Sequence, residues 1–342
     1  MRVLMVIAPV PGTNAPPVWA RRQIDSLKAI GVIVDTFVFR DRRSISGLLN
    51  GALALRRRAS AFHADVVHIH FGAAQAVAGV LASNRPVVLS LCGSDLMGNY
   101  DARGRKTYSG ALSGLLTRLG VLGCTRAIAK SNELKASLGL GFLSRKCDII
   151  PNGVDLALFR PIPQEDARTV LGWKHRDPVV LFMDRRGAWV KDPYLAHASY
   201  HEARKLVPTL RLYVAEQEPP DRMPLFLNAA DALLLTSRHE GSNNTVKEAL
   251  ACNLPIIATA CGDTAERMAG VSHSHICPRD AQDLGRKLAE VVTMRPRSNG
   301  RRMVQSLALE VVAMRIKQMY EAALESRRAG GSVVAGYRGG AL

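Results

Sequence analysis

The chain has 342 residues, of which 47% are hydrophobic and 22% charged, enough for two domains of about 150 residues each with buried cores. That composition argues against wholesale disorder, and no apolar run approaches the roughly 18 residues of a membrane-spanning helix. The net charge of +17 is uneven: residues 1–150 carry 20 Lys+Arg against 8 Asp+Glu, and residues 151–342 carry 26 against 21, so the first half expects an anionic partner such as a membrane surface or an acidic glycan.

The first element, "RVLMVIAPV", reads as a buried strand and not a signal peptide, because its apolar run stops at Pro9. "APPVWARRQIDSLKAIG" reads as a helix, "VIVDTFVF" as a strand and "ISGLLNGALALRRRASAF" as a helix. "DVVHIHFG", "AQAVAGVLAS" and "PVVLSLCG" follow as strand, helix and strand. "AIAKS" and "CDIIP" are short strands around the helix "NELKASL". After residue 155 the alternation restarts. "PVVLFM", "LRLYVA", "DALLLT" and "PIIAT" are strands, separated by the helices "DPYLAHASYHEARKLV", "DRMPLFLNA" and "NTVKEALAC". "DTAERMA" and "DAQDLGRKLAEVVT" are helical, and "MVQSLALEVVAMRIKQMYEAAL" is a closing helix. Alternating strands and helices predict α/β domains with mainly parallel sheets, helices on both faces and ligands beyond the strands' carboxyl ends.

The six cysteines form no C-x-x-C pair, which fits reduced thiols in a cytoplasmic protein better than disulfides or zinc. His68 and His70 share a strand face but have no third ligand in view, so a structural role is the expectation. His197 and His201 have helical spacing but lack the glutamate of a zinc-protease motif.

In "SRHEGSNNTVKEALACNLPIIAT", Glu240 and Glu248 are separated by seven residues. Glu240 falls just past the strand "DALLLT", and a helix starts near Thr245. The backbone N–H groups of that start, with those of "GSNN", form an anion site without any P-loop or G-x-G-x-x-G pattern. Two local readings compete with ligand binding: Thr245-x-x-Glu248 fits a capping box, and Glu240 fits a solvated loop acid. In "DRRGAWVKD", Arg185, Arg186 and Lys191 open a helix and suit a diphosphate, or else form a solvated basic loop.

In series, "IIPNGVDLALFRP", "MDRRGAWVK", "LFLNAADALLLTSRHEG" and "EGSNNTVKEALACNLPIIAT" resemble the junction, the basic loop, the strand and the E-x7-E region of family 4 glycosyltransferases, in the family's order. The variant "HEGSNNTVKEALAC" is most similar to members that build bacterial surface polysaccharides, such as the teichuronic acid enzymes. The resemblance implies a GT-B fold: two Rossmann-like, doubly wound domains facing a central cleft, with the C-terminal helix crossing back. Residues 1–155 would be the acceptor-binding domain and 156–302 the nucleotide-sugar-binding domain. Residues 303–328 would form the returning helix and 329–342 a mobile tail.

The implied reaction is sugar transfer with retention, without an essential metal or other cofactor; no D-x-D motif occurs in the sequence. The donor would be a nucleotide-diphosphate sugar, with UDP the first nucleotide to expect, and the acceptor a glycan or lipid-linked molecule. Glu240, Arg185 and Lys191 would carry catalysis. Glu248 would hold the ribose. Arg186, Gly241, Ser242, Asn243, Asn244, Thr245, Gly12 and Thr13 would complete the donor site.

The sequence departs from the family pattern at several points. Asp184 stands where glycine is usual, leaving Arg185 and Arg186 as alternative diphosphate ligands. Cys92 stands where relatives carry a histidine before "GSD", which motivates an alternative reading as a nucleotide-sugar binder with lost or weak turnover. Asp95 is an acceptor contact or a helix cap. A βα unit is missing before "DRMPLFLN", so the loop from Glu216 to Pro220 would help hold the base. A nucleotide-sugar epimerase of the same fold is a further alternative, against which the motif order argues.

The basic clusters "RDRR", "RRR" and "RGRK" lie in the first half, and "ISGLLNGALALRRR" suggests peripheral contact with an anionic membrane, or an ordinary helix with a solvated face; "LSGLLTRLGVLG" is a second candidate for such contact. Basic charge without an aromatic-studded surface gives no expectation of nucleic acid.

Overall fold

The computed structural model describes the chain except residues 9–15, 43, 102–103, 174–175, 185–188, 217 and 337–342, and gives backbone alone for 328–336. It divides into two units. The first is Met1–Asn99, Lys106–Gly153 and Leu309–Leu342; the second is Tyr100–Arg105 and Val154–Ala308.

The first unit holds six strands: β1 (Arg2–Ile7), β2 (Ile33–Val38), β3 (Val66–His70), β4 (Val87–Ser90), β5 (Arg126–Ala129) and β6 (Cys147–Ile149). All pair in parallel, in the order β2-β1-β3-β4-β5-β6. Central strands such as Val66–His70 are buried at every residue, as expected when helices cover both faces of a sheet. On one face, the helix Val18–Ala29 and the C-terminal helix share a core of Ala20, Ile24, Leu27, Val312, Ile316 and Tyr320. On the other, Leu55, Ala76 and Val121 from three further helices pack over Leu4, Ile69 and Leu89.

The second unit holds β7 (Val179–Met183), β8 (Arg211–Ala215), β9 (Ala232–Leu235), β10 (Ile256–Thr259) and β11 (His275–Cys277). They are again parallel, in the order β11-β10-β9-β7-β8. The order reverses between β7 and β9, which is where open parallel sheets leave a crevice for ligands at their carboxyl ends.

Several elements differ from the sequence reading, which lacked the strand His275–Cys277 and the helices Gly141–Arg145 and Gln164–Leu171. Tyr108–Gly123 is a 16-residue helix despite glycines at 110, 114, 120 and 123, each costing roughly 1 kcal/mol of helix propensity. Packing reverses that penalty: a Cβ on Gly120 would lie 2.9 Å from the Ala76 Cβ, and one on Gly114 would lie 2.8 Å from the Leu96 carbonyl oxygen. The closing helix is broken. Gly300–Met303 and a 3₁₀ turn at Gln305–Leu307 precede the long helix Leu309–Gly336. Ala308 is extended and bridges to Val154 between them. Finally, the long helix runs past residue 324, its backbone helical through Gly336.

The C-terminal helix packs with the first unit, where the Tyr320 ring is fully buried. A buried Asp231 anchors the second unit. It accepts from Arg168 and Arg295, each at 2.9 Å, from Gln164 at 3.0 Å and from the Val179 backbone at 2.6 Å.

Candidate functional site

In the second unit the chemistry gathers at the switch point. The 3₁₀ turn Trp189–Lys191 comes after β7, and the segment Thr236–Glu240 follows β9. Thr236 Oγ1 donates to the Lys191 carbonyl at 2.8 Å, and Arg238 N–H donates to Val190 O at 2.7 Å. These bonds hold the two loops side by side. Lys191 Nζ lies 2.6 Å from Glu240 Oε1, with both side chains half-buried. The same oxygen accepts from Ser237 Oγ at 3.2 Å and Asn243 Nδ2 at 3.4 Å. An ammonium has three donors, so one bond to Glu240 leaves others for an anion.

Below that pair lies a cluster of charge that the sequence reading missed. Asp192, 5% exposed, caps the helix Pro193–Leu206 from a left-handed backbone with φ 49°. Its carboxylate pairs with Arg238 at 2.6 Å and with Arg279, which follows β11. Arg279 also donates to the Thr236 and Ser237 carbonyls, each at 3.0 Å. The carboxyl ends of β7, β9 and β11 are thereby tied by one arginine. The only available signal was Asp192-Pro193, an N-cap with proline in the first turn.

The helix after Glu240 runs from Asn244 to Ala251, and its cap is Asn243, whose Oδ1 accepts from Thr245 N–H at 2.9 Å. Thr245 is therefore inside the helix and not its cap, and the capping-box position three residues after Asn243 is Val246, not Glu248. Ser242 Oγ donates to Asp263 Oδ2 at 2.8 Å and receives from the buried Lys247 Nζ at 3.0 Å. Gly262, at φ +56°, brings the next loop against Glu240; a Cβ there would meet the Glu240 carbonyl oxygen at 2.7 Å. Gly241, Ser242, Asn243, Asn244, Thr245 and Glu248 thus lie on one turn and the helix it opens. Arg185, Arg186, Gly12 and Thr13 lie outside the described residues.

An aromatic group borders the pair. Trp189 stacks on Tyr100 with ring centroids 5.0 Å apart, His239 sits 4.9 Å from Tyr100, and the Arg238 guanidinium lies 4.8 Å above Trp189. On the far side of β7, the Tyr213 hydroxyl donates to Glu218 at 2.7 Å, in the loop expected to help with the base. Burial first, and then the Glu218 carboxylate, push the Tyr213 phenol up to about 12.

The carboxyl edge of the first sheet is chemically different. Asp95 is fully buried and accepts backbone N–H groups: Gly72 at 2.8 Å, Gly93 at 2.7 Å, Cys92 at 3.0 Å and Leu96 at 3.1 Å. Burial holds its carboxyl above the usual range, and the N–H bonds from Gly72, Cys92 and Gly93 offset this only in part. Asp95 thus ties the loop after β3 to the loop after β4. Cys92 follows β4, and burial with the Asp95 charge pushes its thiol up to about 12, so it is uncharged at neutral pH. His68 bonds Tyr320 Oη at 2.6 Å and Ser90 Oγ at 2.8 Å. Burial, reinforced by Lys130, holds His68 down at about 3. His70 is buried beside it, ring centroids 4.2 Å apart, and is likewise held low. Lys130, directly after β5 and 2% exposed, has an ammonium without a hydrogen-bond partner among the described residues. Its sequence signal was a lysine closing the buried run "AIA".

No group of metal-ligating residues occurs among the described residues, and the six cysteines are free thiols. No described helix is long and apolar enough to cross a membrane.

Comparison with known proteins follows the same division of the chain. The profile of Glycosyltransferase Family 4 matches residues 5–158, and that of Glycosyl transferases group 1 matches residues 196–294. A Bacillus subtilis protein assigned to teichuronic acid biosynthesis as the glycosyltransferase TuaC is 28% identical over 278 residues, 73% of this chain and 68% of that one. A D-inositol 3-phosphate glycosyltransferase of Segniliparus rotundus is 27% identical over 160 residues, 37% of this chain and 35% of the relative's length. Among solved structures, a sucrose-phosphate synthase from Thermosynechococcus elongatus superposes with a TM-score of 0.75 at 17% identity, covering 94% of this chain and 98% of the other. HepE of Anabaena, in complex with UDP and glucose, superposes with a TM-score of 0.71 at 16% identity, covering 94% and 100%. At such identities the structures speak for the fold.

Proposed function

We propose that the chain, which has the GT-B fold and is similar to family 4 glycosyltransferases, is a retaining transferase of bacterial surface-polysaccharide synthesis that moves a sugar from a nucleotide sugar. Its donor is a UDP-sugar, its acceptor a glycan or lipid-linked carrier, and it works at the cytoplasmic face of an anionic membrane. The observation that carries this reading is the Lys191–Glu240 pair at 2.6 Å beside the helix start at Asn244, where the strand order of the second sheet reverses.

In the reaction the bond from the anomeric carbon to the diphosphate breaks, and a bond to the acceptor hydroxyl oxygen forms on the same face. The acceptor's proton leaves with the departing diphosphate. Lys191, the amides of Gly241–Asn244, and Arg185 or Arg186 neutralise the charge that develops there. Ser242, Asn243 and Thr245 shape the turn. Glu240 faces the sugar while steering Lys191, and Glu248 accepts from the ribose hydroxyls. A carboxylate suits the ribose and not the diphosphate, because only the ribose offers donors. HepE holds UDP and glucose in its solved complex, which supports a UDP-sugar as the first donor to try.

A thermal-shift screen of UDP-, GDP-, ADP- and dTDP-sugars tests the donor class, since a ligand that binds the folded state raises the midpoint. The proposal expects a rise with a UDP-sugar and donor hydrolysis in the same sample. No shift with any of the four contradicts it. A shift without turnover, in wild type and in Cys92→His alike, favours the second reading, a donor-binding protein without catalysis. The uncharged Cys92 thiol motivates that reading.

A further inference from the structure

Three helices of the first unit, Ile45–Ala61, Ala73–Ala82 and Tyr108–Gly123, lie side by side and carry large apolar residues on their outer side. Between them is a groove of about 540 Å³ lined by Ile45, Leu49, Leu53, Val77, Leu81 and Leu116, with Arg56 at its edge. Ile45 and Leu81 are each 80% exposed. The third helix extends the surface with Leu112, Leu115, Leu119 and Leu122, a stripe at helical spacing whose members are all about half exposed or more. A contiguous patch of this kind on a soluble surface marks an interaction site.

None of the three helices contains an aspartate or glutamate, whereas the first carries Arg56, Arg57 and Arg58 in sequence. Two nearby acids are engaged elsewhere. Asp35 pairs with Arg58 at 2.7 Å, and Asp41 accepts from Ser44. Arg118 is spent on the Ser137 and Leu138 carbonyls, which leaves Arg56 at the edge of the groove, with the exposed Arg57 next to it in sequence. Exposed apolar side chains with a basic edge, on three helices that carry no acid, match the boundary between hydrocarbon and headgroup in an anionic bilayer. A second copy of the chain would set arginine rims against each other.

We propose that this three-helix face is a membrane-docking surface, with Ile45, Leu49, Leu81 and the Leu112–Leu122 stripe entering the acyl boundary and Arg56 and Arg57 contacting lipid phosphates. It docks by lying on the bilayer; no described helix is long and apolar enough to cross one. The proposal rests on the reading that the acceptor is met at an anionic membrane, and it adds which surface meets it.

The test is sedimentation of the full chain with vesicles of phosphatidylcholine alone or with phosphatidylglycerol, without donor or acceptor. Binding to the anionic vesicles, weak on neutral ones and weakened by salt, is expected. Leu49→Gln with Leu81→Gln should lower the affinity by about tenfold or more. Arg56→Gln with Arg57→Gln should lower it by roughly tenfold and flatten the salt dependence. These positions are exposed, so unchanged thermal midpoints certify folding. Failure to bind either vesicle overturns the proposal, as does equal binding by wild type and both variants. Light scattering that shows a dimer abolished by the leucine variant also overturns it, in favour of a second copy. Because donor turnover is read separately, binding without turnover refutes the transferase mechanism alone, and turnover without binding refutes the docking surface alone.

Discussion

At the carboxyl edge of the second sheet, Lys191, Glu240, Asp192, Arg238 and Arg279 form a half-open network of opposite charges. At the corresponding edge of the first sheet, His68, His70 and Asp95 are buried and Cys92 is half-buried, and each imidazole or thiol is pushed toward its neutral form. Both edges are built from parallel strands, so topology does not set the difference. Burial does. A charge that keeps contact with water can exchange its partner for a ligand phosphate, whereas a buried group either neutralises or is consumed by fixed hydrogen bonds. The second edge is therefore suited to receive an anion, and the first to hold loops in place.

Four changes break or sharpen that contrast. Lys191→Ala should lower turnover by about 10²–10³-fold with little change in the urea midpoint, as expected of a group that works on a ligand. Steady-state donor hydrolysis beside an unfolding curve checks it, and a destabilised but fully active variant would erase the contrast. Asp95→Ala should do the opposite, costing about 3 kcal/mol of stability because several buried N–H groups lose their acceptor; urea denaturation reads this directly.

His68 supplies a pH test. Its folded pKa, about 3, is below the ordinary value of 6.5. The unfolded chain therefore binds the proton more readily, and stability falls as pH drops from about 6.5 toward 3. At pH 5 the share of the loss due to His68 should be roughly 2 kcal/mol, seen as a lower melting midpoint than at pH 7, and His68→Gln should lessen that slope while His70 keeps its own share. The smallest effect is expected for Cys92→Ser, under about 1 kcal/mol, because the thiol's hydrogen bond to the Ser90 carbonyl, at 3.8 Å, is a weak one.

The two edges were also unequally legible in the sequence. Strand and helix alternation was visible because apolar runs such as "VVHIH" and "DALLLT" sit between turn residues. The helix Tyr108–Gly123 was hidden by its glycines, whose purpose is close packing against another helix, a tertiary reason that no local pattern carries. Glu240, Lys191 and the turn from Gly241 to Thr245 were legible because they are near one another in sequence or follow strands. The Asp192–Arg238–Arg279 cluster was not, since it joins three loops up to 87 residues apart. The competing capping-box reading at Thr245 fails because the cap is Asn243; both residue types cap helices, and only backbone geometry separates them.

The central claim is that the turn and helix after Glu240 bind a nucleotide diphosphate, with Glu248 on the ribose. Titration calorimetry of UDP into wild type and Glu248→Ala tests it most directly. Losing hydrogen bonds to a charged acceptor should weaken binding by about 10- to 100-fold while the melting midpoint of the free protein stays nearly unchanged. Equal affinity of both proteins for UDP, and for the other nucleoside diphosphates, would contradict it.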